Sequence, residues 1–544
     1  MNGVISIADR QCTVRLRSEK RFTDHSFSRS ADGRELWTQG VFLNIELLKT
    51  SFGTDSLPET VEEAVRRAGT ELSQTLFGSY ALLFRDSEKS TVILTNDLLS
   101  KHSLFYAVFG GELLFSDSFL ELADECRHRD FPLTPDALAV KMMDRHEELY
   151  GDITYAREIH FLEPFRCLTV DASGVHKVKI PPKTETLGDR TEIIARCDEL
   201  FTEGTYREYE LNRQYGYRQV TTLSAGMDSR MVYFCGKKLG FEHQTCFCYA
   251  QPGCVDHRIP QRICAKEGDE FFFSPLRDGS FLLNRDTPAT ANGGLMLYAG
   301  TTGLPGMLKT LPTEDWGIIH TGLAGGETMG DDCSPDEEQG KAWWLRVLNA
   351  APDESARLEA LFGEYEGYNQ FVDYNNVRFC LNSQKIAADY GEYMSPFLYE
   401  PYFQYTQQIP YERKKDRDLY LDWMKAYSRD SYRVTYHYGV RTRSPFEYFI
   451  RRGIHYVVRR LGGKTKYDMN PHWYWAKKDP SLMSATEEMF REDIETLQSA
   501  GTIGEDILQI LLSDWQGRGL DNRTSVLTAS WALKRLFAPQ THQV

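Results

Sequence analysis

The sequence predicts an α/β protein in two parts: a β-rich layered α+β unit, then a parallel-sheet α/β unit with a helical C-terminal part. Three observations predict it. Short alternating apolar runs fill roughly the first 180 residues, strands alternate with helices from about residue 190, and nearly everything beyond about residue 340 has helical periodicity. At 544 residues the chain is also too long for one ordinary core.

In the first part, strands are expected at 80–84, 91–94 and 112–115, with polar turns between them and amphipathic helices near 61–76 and 135–149. The proline-containing polar stretch Pro181-Pro182-Lys183-Thr184-Glu185-Thr186 reads as a linker and divides the chain into domains 1–185 and 190–540. A helix over 191–212 then leads to strands at 219–223, 245–250, 270–274 and 316–321, with helices between them. Parallel strands joined by helices imply a sheet covered on both faces. The sequence has no internal repeat and no low-complexity segment.

Composition excludes several function classes. Apolar residues at 41% and charged residues at 26% are globular values, and the net charge of -15 argues against binding nucleic acid through its phosphates. No continuous apolar window is long enough to cross a bilayer, and Met1 to Ser6 does not begin a secretion signal, so a cytoplasmic location is expected. Eleven cysteines include no C-x-x-C pair and no zinc spacing. Cys246 and Cys248 alternate on an apolar strand and read as packing.

The chemistry is expected in the run Leu223-Ser224-Ala225-Gly226-Met227-Asp228-Ser229-Arg230, where an apolar strand turns through small residues into a helix reaching about Lys238. That turn aims backbone N–H groups and a helix N-terminus at one point, which makes an anion site. Serine hydroxyls add donors, and Asp228 could hold a magnesium ion bridging phosphate oxygens. The run resembles the pyrophosphate-binding S-G-G-x-D-S loop of the ATP pyrophosphatases, and specifically of the asparagine synthetase family, with Ala225 in place of the first glycine.

Further stretches resemble that family in order. Asp256 matches an acidic residue that opens a helix near the nucleotide. Thr321-Gly322-Leu323-Ala324-Gly325-Gly326-Glu327 resembles a second glycine-rich loop, S-G-E-G-S-D-E, with Gly326 where the family has a magnesium-binding aspartate and Leu323 where it has a glutamate. Glu327, Asp331 and Asp332 are the candidates to replace the missing ligand. Gly391-Glu392-Tyr393-Met394-Ser395-Pro396-Phe397-Leu398 resembles G-L-E-V-R-V-P-F-L-D, which puts Glu392 in the place of a base that helps deprotonate the attacking amine. Arg230, Lys425, Arg441 and Arg443 are the candidate cations for the leaving pyrophosphate. The resemblance thus implies ATP and Mg2+ as cofactors, a nucleotide site of Leu223, Ser224, Ala225, Gly226, Asp228, Ser229, Tyr249, Asp256 and Gly322, and metal ligands Asp228 and Glu327.

It also implies an αββα N-terminal-nucleophile (Ntn) hydrolase-like sandwich ahead of a PP-loop, HUP-like synthetase domain. Residues 78–86, Asn96-Asp97 and 113–117 look like strands of that first domain. Glutamine-dependent members begin Met-Cys-Gly, whereas this chain begins Met1-Asn2-Gly3, and an amide cannot form the thioester. The glutamine-recognition stretch has drifted to Val41-Phe42-Leu43-Asn44, and Cys12 lacks an α-amine. The amidotransferase-like domain is therefore expected to be inactive, with the amine coming from free ammonia or from the substrate itself.

The leading reading is an adenylating amide-bond ligase acting on a small-molecule or peptide carboxylate and an amine. Relatives without glutaminase include β-lactam synthetases and lasso peptide cyclases. Leu323 disfavours the lactam formers, while lasso cyclisation and amidation of a surface sugar acid stay open. No nucleic acid and no transmembrane segment are expected, and a homodimer is allowed. The second reading is a degenerate relative that binds ATP or a partner without turnover. A third, sulfur transfer on the same loop type, wants a reactive cysteine pair that the sequence lacks. The arginine-rich amphipathic stretch 446–461 fits a membrane, a peptide leader or a solvated helix, the last being the simplest.

Overall fold

The computed structural model describes residues 1–300, 303–434 and 445–539. In chain order the first eleven strands are β1 (Asn2–Ser6), β2 (Cys12–Arg15), β3 (Phe27–Ala31), β4 (Arg34–Phe42), β5 (Gly78–Asp86), β6 (Thr91–Asn96), β7 (Phe105–Phe109), β8 (Glu112–Ser116), β9 (His160–Phe161), β10 (Arg166–Asp171) and β11 (Gly174–Lys179). They pair antiparallel into two sheets, β2-β1-β8-β7-β9 and β11-β10-β6-β5-β4-β3.

Period-two alternation stacks these sheets. On β5, Ala81 and Leu83 join Tyr106, Leu113 and Phe115 of the other sheet in one buried cluster, while Tyr80, Leu82 and Phe84 turn to the opposite face. There they meet helices α1 (Ile45–Phe52) and α2 (Leu57–Ala68). On the other sheet, Phe105, Ala107 and Leu114 turn outward to α3 (Phe119–His128) and α4 (Ala137–His146). Helices, sheet, sheet and helices make the αββα sandwich that the resemblance implies, in keeping with the layered α+β unit read from the sequence. Ser118 and Asp136 cap α3 and α4 with side-chain oxygens.

A stretch with no helix or strand runs from the end of β11 to α5 (Arg190–Gln214), which opens on an Asp189–Glu192 capping box. Next come β12 (Arg218–Thr222), α6 (Met227–Lys238), β13 (Gln244–Ala250), α7 (Val255–Glu267), β14 (Glu270–Pro275) and β15 (Trp316–His320). A fifth strand, β16 (Glu392–Met394), lies in the stretch that reads as helical. All neighbours in this sheet are parallel, in the order β14-β13-β12-β15-β16. The fold class is therefore α/β, as the alternation of strands and helices predicts.

Helices follow, the last three being Ser481–Ala500, Glu505–Leu512 and Leu520–Phe537. One apolar cluster runs from α3 and α4 through Trp344, Phe371 and Val377 to Leu527 and Leu533, so the C-terminal helices and the first sandwich share a core. No helix among the described residues is long and apolar enough to cross a membrane.

Candidate active site

Strand order fixes where a ligand can sit. From β12 the chain winds outward to β13 and β14, whereas β15 lies on the other side of β12 and leads on to β16. The crevice between the C-terminal ends of β12 and β15 is the switch point at which doubly wound sheets bind ligands. A cavity of about 450 Å3 opens there, a volume suited to a small molecule. Leu223, Ser224, Gly226, Asp228 and Ser229 line it from the β12–α6 loop. Thr321, Gly322 and Leu323 line it from the loop after β15, and Tyr249 and Tyr393 from the flanking strands.

The first loop is tied by its own small side chains. Ser229 Oγ accepts from the Ser224 N–H at 3.1 Å, and Ser224 Oγ accepts from the Gly226 N–H at 3.0 Å. From behind, Asp256 Oδ1 accepts from the Ala225 N–H at 3.0 Å. Asp256 thus anchors the loop from near the start of α7. Ala225 is fully buried and is not among the residues with left-handed backbone, so its methyl is accommodated without strain. Gly226 is the N-cap of α6 in extended conformation, and no side chain caps that helix. The N–H groups of its first turn are left for an anion.

The second loop lies directly on the first. A Cβ on Gly322 would stand 2.2 Å from the Ser229 amide nitrogen, and one on Gly325 would stand 2.5 Å from Asp228 Cγ. Both positions need glycine because backbone or a fixed carboxylate fills the space. Gly326 lies against a carboxylate as well: a Cβ there would stand 2.4 Å from Asp331 Oδ2. Arg417 holds that carboxylate, its Nε donating to Asp331 Oδ1 at 2.7 Å.

Acidic groups crowd this junction. Burial pushes the Asp228 carboxyl up to about 6, with the charge of Asp331 adding and a 2.6 Å hydrogen bond from Tyr420 opposing. Burial likewise pushes Glu327 up to about 7, reinforced by Asp228, Asp332 and Asp331. Carboxylates this close disfavour one another's charge, and a cation between them would relieve that repulsion. The donors fit a hard divalent ion, Asp228 and Glu327 being those that could hold it. Among the described residues no three His, Cys, Asp or Glu side chains are already grouped as a metal cage.

Other residues singled out from the sequence lie elsewhere. Arg230 is buried and does not line the cavity; its guanidinium donates to the carbonyls of Gly226, Ser431 and Val434 at 2.9, 3.0 and 3.1 Å. It joins α6 to the chain around 431–434. Lys425 is exposed on the helix Asp418–Tyr427. Tyr420 of that helix reaches Asp228, and five residues further on is roughly 140° around the axis, which turns Lys425 away. Arg441 and Arg443 lie outside the described residues. Glu392 sits one residue before the cavity-lining Tyr393, on the other face of β16. Its carboxyl is pushed up to about 7 by burial and by Glu19, while His102 and Arg21 oppose the shift. It therefore faces the junction with the first sandwich.

Sequence reasoning named Asp331 as a candidate but missed Tyr420, Tyr393 and Arg417, the partner of Asp331. Tyr420 lies 192 residues from Asp228, and no local pattern marks it. In the first unit Asn2 stands on β1, its amide 3.4 Å from Glu121 Oε2. Burial pushes the Cys12 thiol up to about 12, which leaves it a poor nucleophile.

An αββα sandwich leading into a parallel-sheet unit with a cavity at its switch point defines the class. Comparison with known proteins then places the first unit: residues 28–180 match the model of the glutamine amidotransferase domain family. Among solved structures the chain is similar to the glutamine phosphoribosylpyrophosphate amidotransferase of B. subtilis complexed with ADP and GMP. Identity is 12%, over 48% of this chain and 75% of that one, with a TM-score of 0.23. It is also similar to a structure described as the allosteric regulatory enzyme of purine biosynthesis, at 11% identity over 46% of this chain and 63% of that one, TM-score 0.21. No curated protein matches the chain. The N-terminal unit is thus a glutamine amidotransferase-type domain.

Proposed function

We propose that the chain is an ATP-dependent, AMP-forming ligase of the asparagine synthetase type, making an amide bond without a glutaminase of its own. The observation that supports this most is the contact of the two glycine-rich loops, with Gly322 against the Ser229 amide and Asp228 beneath them. The uncapped α6 N-terminus and the hydroxyls of Ser224 and Ser229 would hold the pyrophosphate part of ATP. Tyr249 and Leu323 would pack against the remainder of the nucleotide. A substrate carboxylate oxygen attacks the α-phosphorus while the bond to pyrophosphate breaks. An amine then attacks the acyl carbon and AMP leaves.

Asp228, with Glu327 and Asp331 beside it, would hold a magnesium ion, which when bound neutralises phosphate charge. Glu392 does not line the cavity and its carboxyl faces the first sandwich, so it is not assigned as the base, and the amine's proton is given to solvent.

A second reading, ATP binding without turnover, is favoured by one observation: no Lys or Arg is among the described residues that line the cavity. Carboxylate-dependent exchange of labelled pyrophosphate into ATP separates the two. The ligase reading expects exchange that depends on the added acid and falls at least a hundredfold in Asp228→Ala. ATP binding with no exchange over a broad panel of acids, peptide carboxylates included, establishes the second reading instead.

A further inference from the structure

The helix Pro445–Arg460 carries the largest concentration of exposed apolar surface among the described residues. Phe449, Ile454, Tyr456, Val457 and Leu461 are 76, 58, 61, 54 and 78% exposed, and Ile450 is 44% exposed. Ile450, Ile454, Val457 and Leu461 follow the i, i+4, i+7, i+11 spacing of one helical stripe, with Phe449 and Tyr456 along its edge. Isolated exposed apolar side chains are ordinary on a protein surface, whereas a continuous stripe of this kind marks a binding face.

Charge identifies what binds. Residues 445–478 contain eight Arg and Lys against Glu447 and Asp468, in a chain whose net charge is -15. Arg459 and Arg460 are exposed at the end of the stripe, and Arg459 lies over the half-buried Trp473 ring at 5.1 Å. Lys464 lies over the neighbouring Tyr474 ring at 5.0 Å, and Lys477 and Lys478 are exposed beyond it. An apolar stripe flanked by cations and interfacial aromatics is the pattern of a helix that lies in a lipid headgroup layer.

We propose that the helix Pro445–Arg460, with the basic and aromatic segment after it, seats the protein on a lipid bilayer of anionic headgroups. The stripe enters the acyl boundary, and the arginines and lysines contact lipid phosphates. At about 1.5 Å per residue the helix would lie along roughly 24 Å of the surface. The inference is independent of the reading of the nucleotide cavity.

Co-sedimentation of the full chain with vesicles tests it, using equal parts phosphatidylglycerol and phosphatidylcholine against phosphatidylcholine alone. Binding to the anionic vesicles is expected, weakening steeply as salt rises. Ile454→Asp should reduce it to background, and Arg459→Ser with Arg460→Ser should weaken it more than tenfold. Leu47→Asp, at an exposed leucine on α1, should leave it unchanged. Circular dichroism and melting curves confirm that the variants fold. Equal binding to uncharged vesicles, no binding to either, or a dimer that Ile454→Asp turns into monomer would each overturn the proposal.

Discussion

At the scale of single residues, the site holds charges that the fold disfavours. The folded Asp228 carboxyl lies near 6, above the range of a free aspartate, so the folded chain binds its proton more tightly than the unfolded chain does. Below the ordinary aspartate range both states are protonated and nothing is lost. As pH rises toward 6 and beyond, the unfolded carboxylate ionises freely while the folded one does so against burial and Asp331. Ionisation of Asp228 therefore destabilises the fold by on the order of 2 kcal/mol at pH 8, after allowance for its partial exposure. Asp228→Asn is expected to raise the melting temperature of the ligand-free protein at pH 8 and to leave it nearly unchanged at pH 4. It should also abolish nucleotide turnover, as expected where function requires a destabilising group. Thermal melts across pH check this; a variant less stable than the native chain at pH 8 contradicts it.

Elements explain which parts of the site were legible. The β12–loop–α6 unit shows in the sequence because a short apolar run ends in small residues and a helical period begins at once. The second loop, followed by a helix of only four residues, shows only through its resemblance to a family glycine-rich loop. Strand β16 does not: it has only three residues, and its pairing with β15 comes from chain folding rather than from local preference. Tyr420 and Arg417 were hidden for a related reason, since their contacts with Asp228 and Asp331 span long sequence separations. Arg230 was misleading because a cation beside a phosphate loop looks available, while its position on α6 points it at the carbonyls of 431–434. The approach of the two loops yields a prediction of its own. In Gly322→Ala the new methyl would meet the Ser229 amide and the Asp228 carbonyl carbon, both backbone atoms that cannot rotate aside. The loops must separate, at a cost of about 1–3 kcal/mol in stability. ATP affinity measured by calorimetry should fall at least tenfold. An unchanged affinity would mean that the loops do not grip the nucleotide together.

Over the whole molecule, the amidotransferase-type sandwich is joined to the rest by packing and by a buried ion pair. Lys101 Nζ, on the loop after β6, donates to Glu400 Oε1 at 2.8 Å, with the two side chains 6% and 0% exposed. Glu400 also accepts from the Gly78 N–H at 3.1 Å, and Lys101 donates to the Leu398 carbonyl at 3.1 Å. Burial raises the Glu400 carboxyl, with Asp97 adding to the rise and Lys101 and the Gly78 N–H opposing it. Lys101→Met should leave a buried carboxylate with a single backbone donor and destabilise the protein by about 3–5 kcal/mol. Adding Glu400→Gln removes the stranded charge and should recover part of that loss, because a neutral pair is cheaper to bury than half of an ionic one. Both variants should melt in one transition, since the apolar cluster from α3 and α4 to Leu533 cannot open on one side alone. Differential scanning calorimetry distinguishes the outcomes. A double variant no more stable than Lys101→Met would show that the loss comes from packing around the lysine chain. Two separate transitions would mean that the sandwich unfolds on its own and that the shared core does not couple it to the parallel-sheet unit.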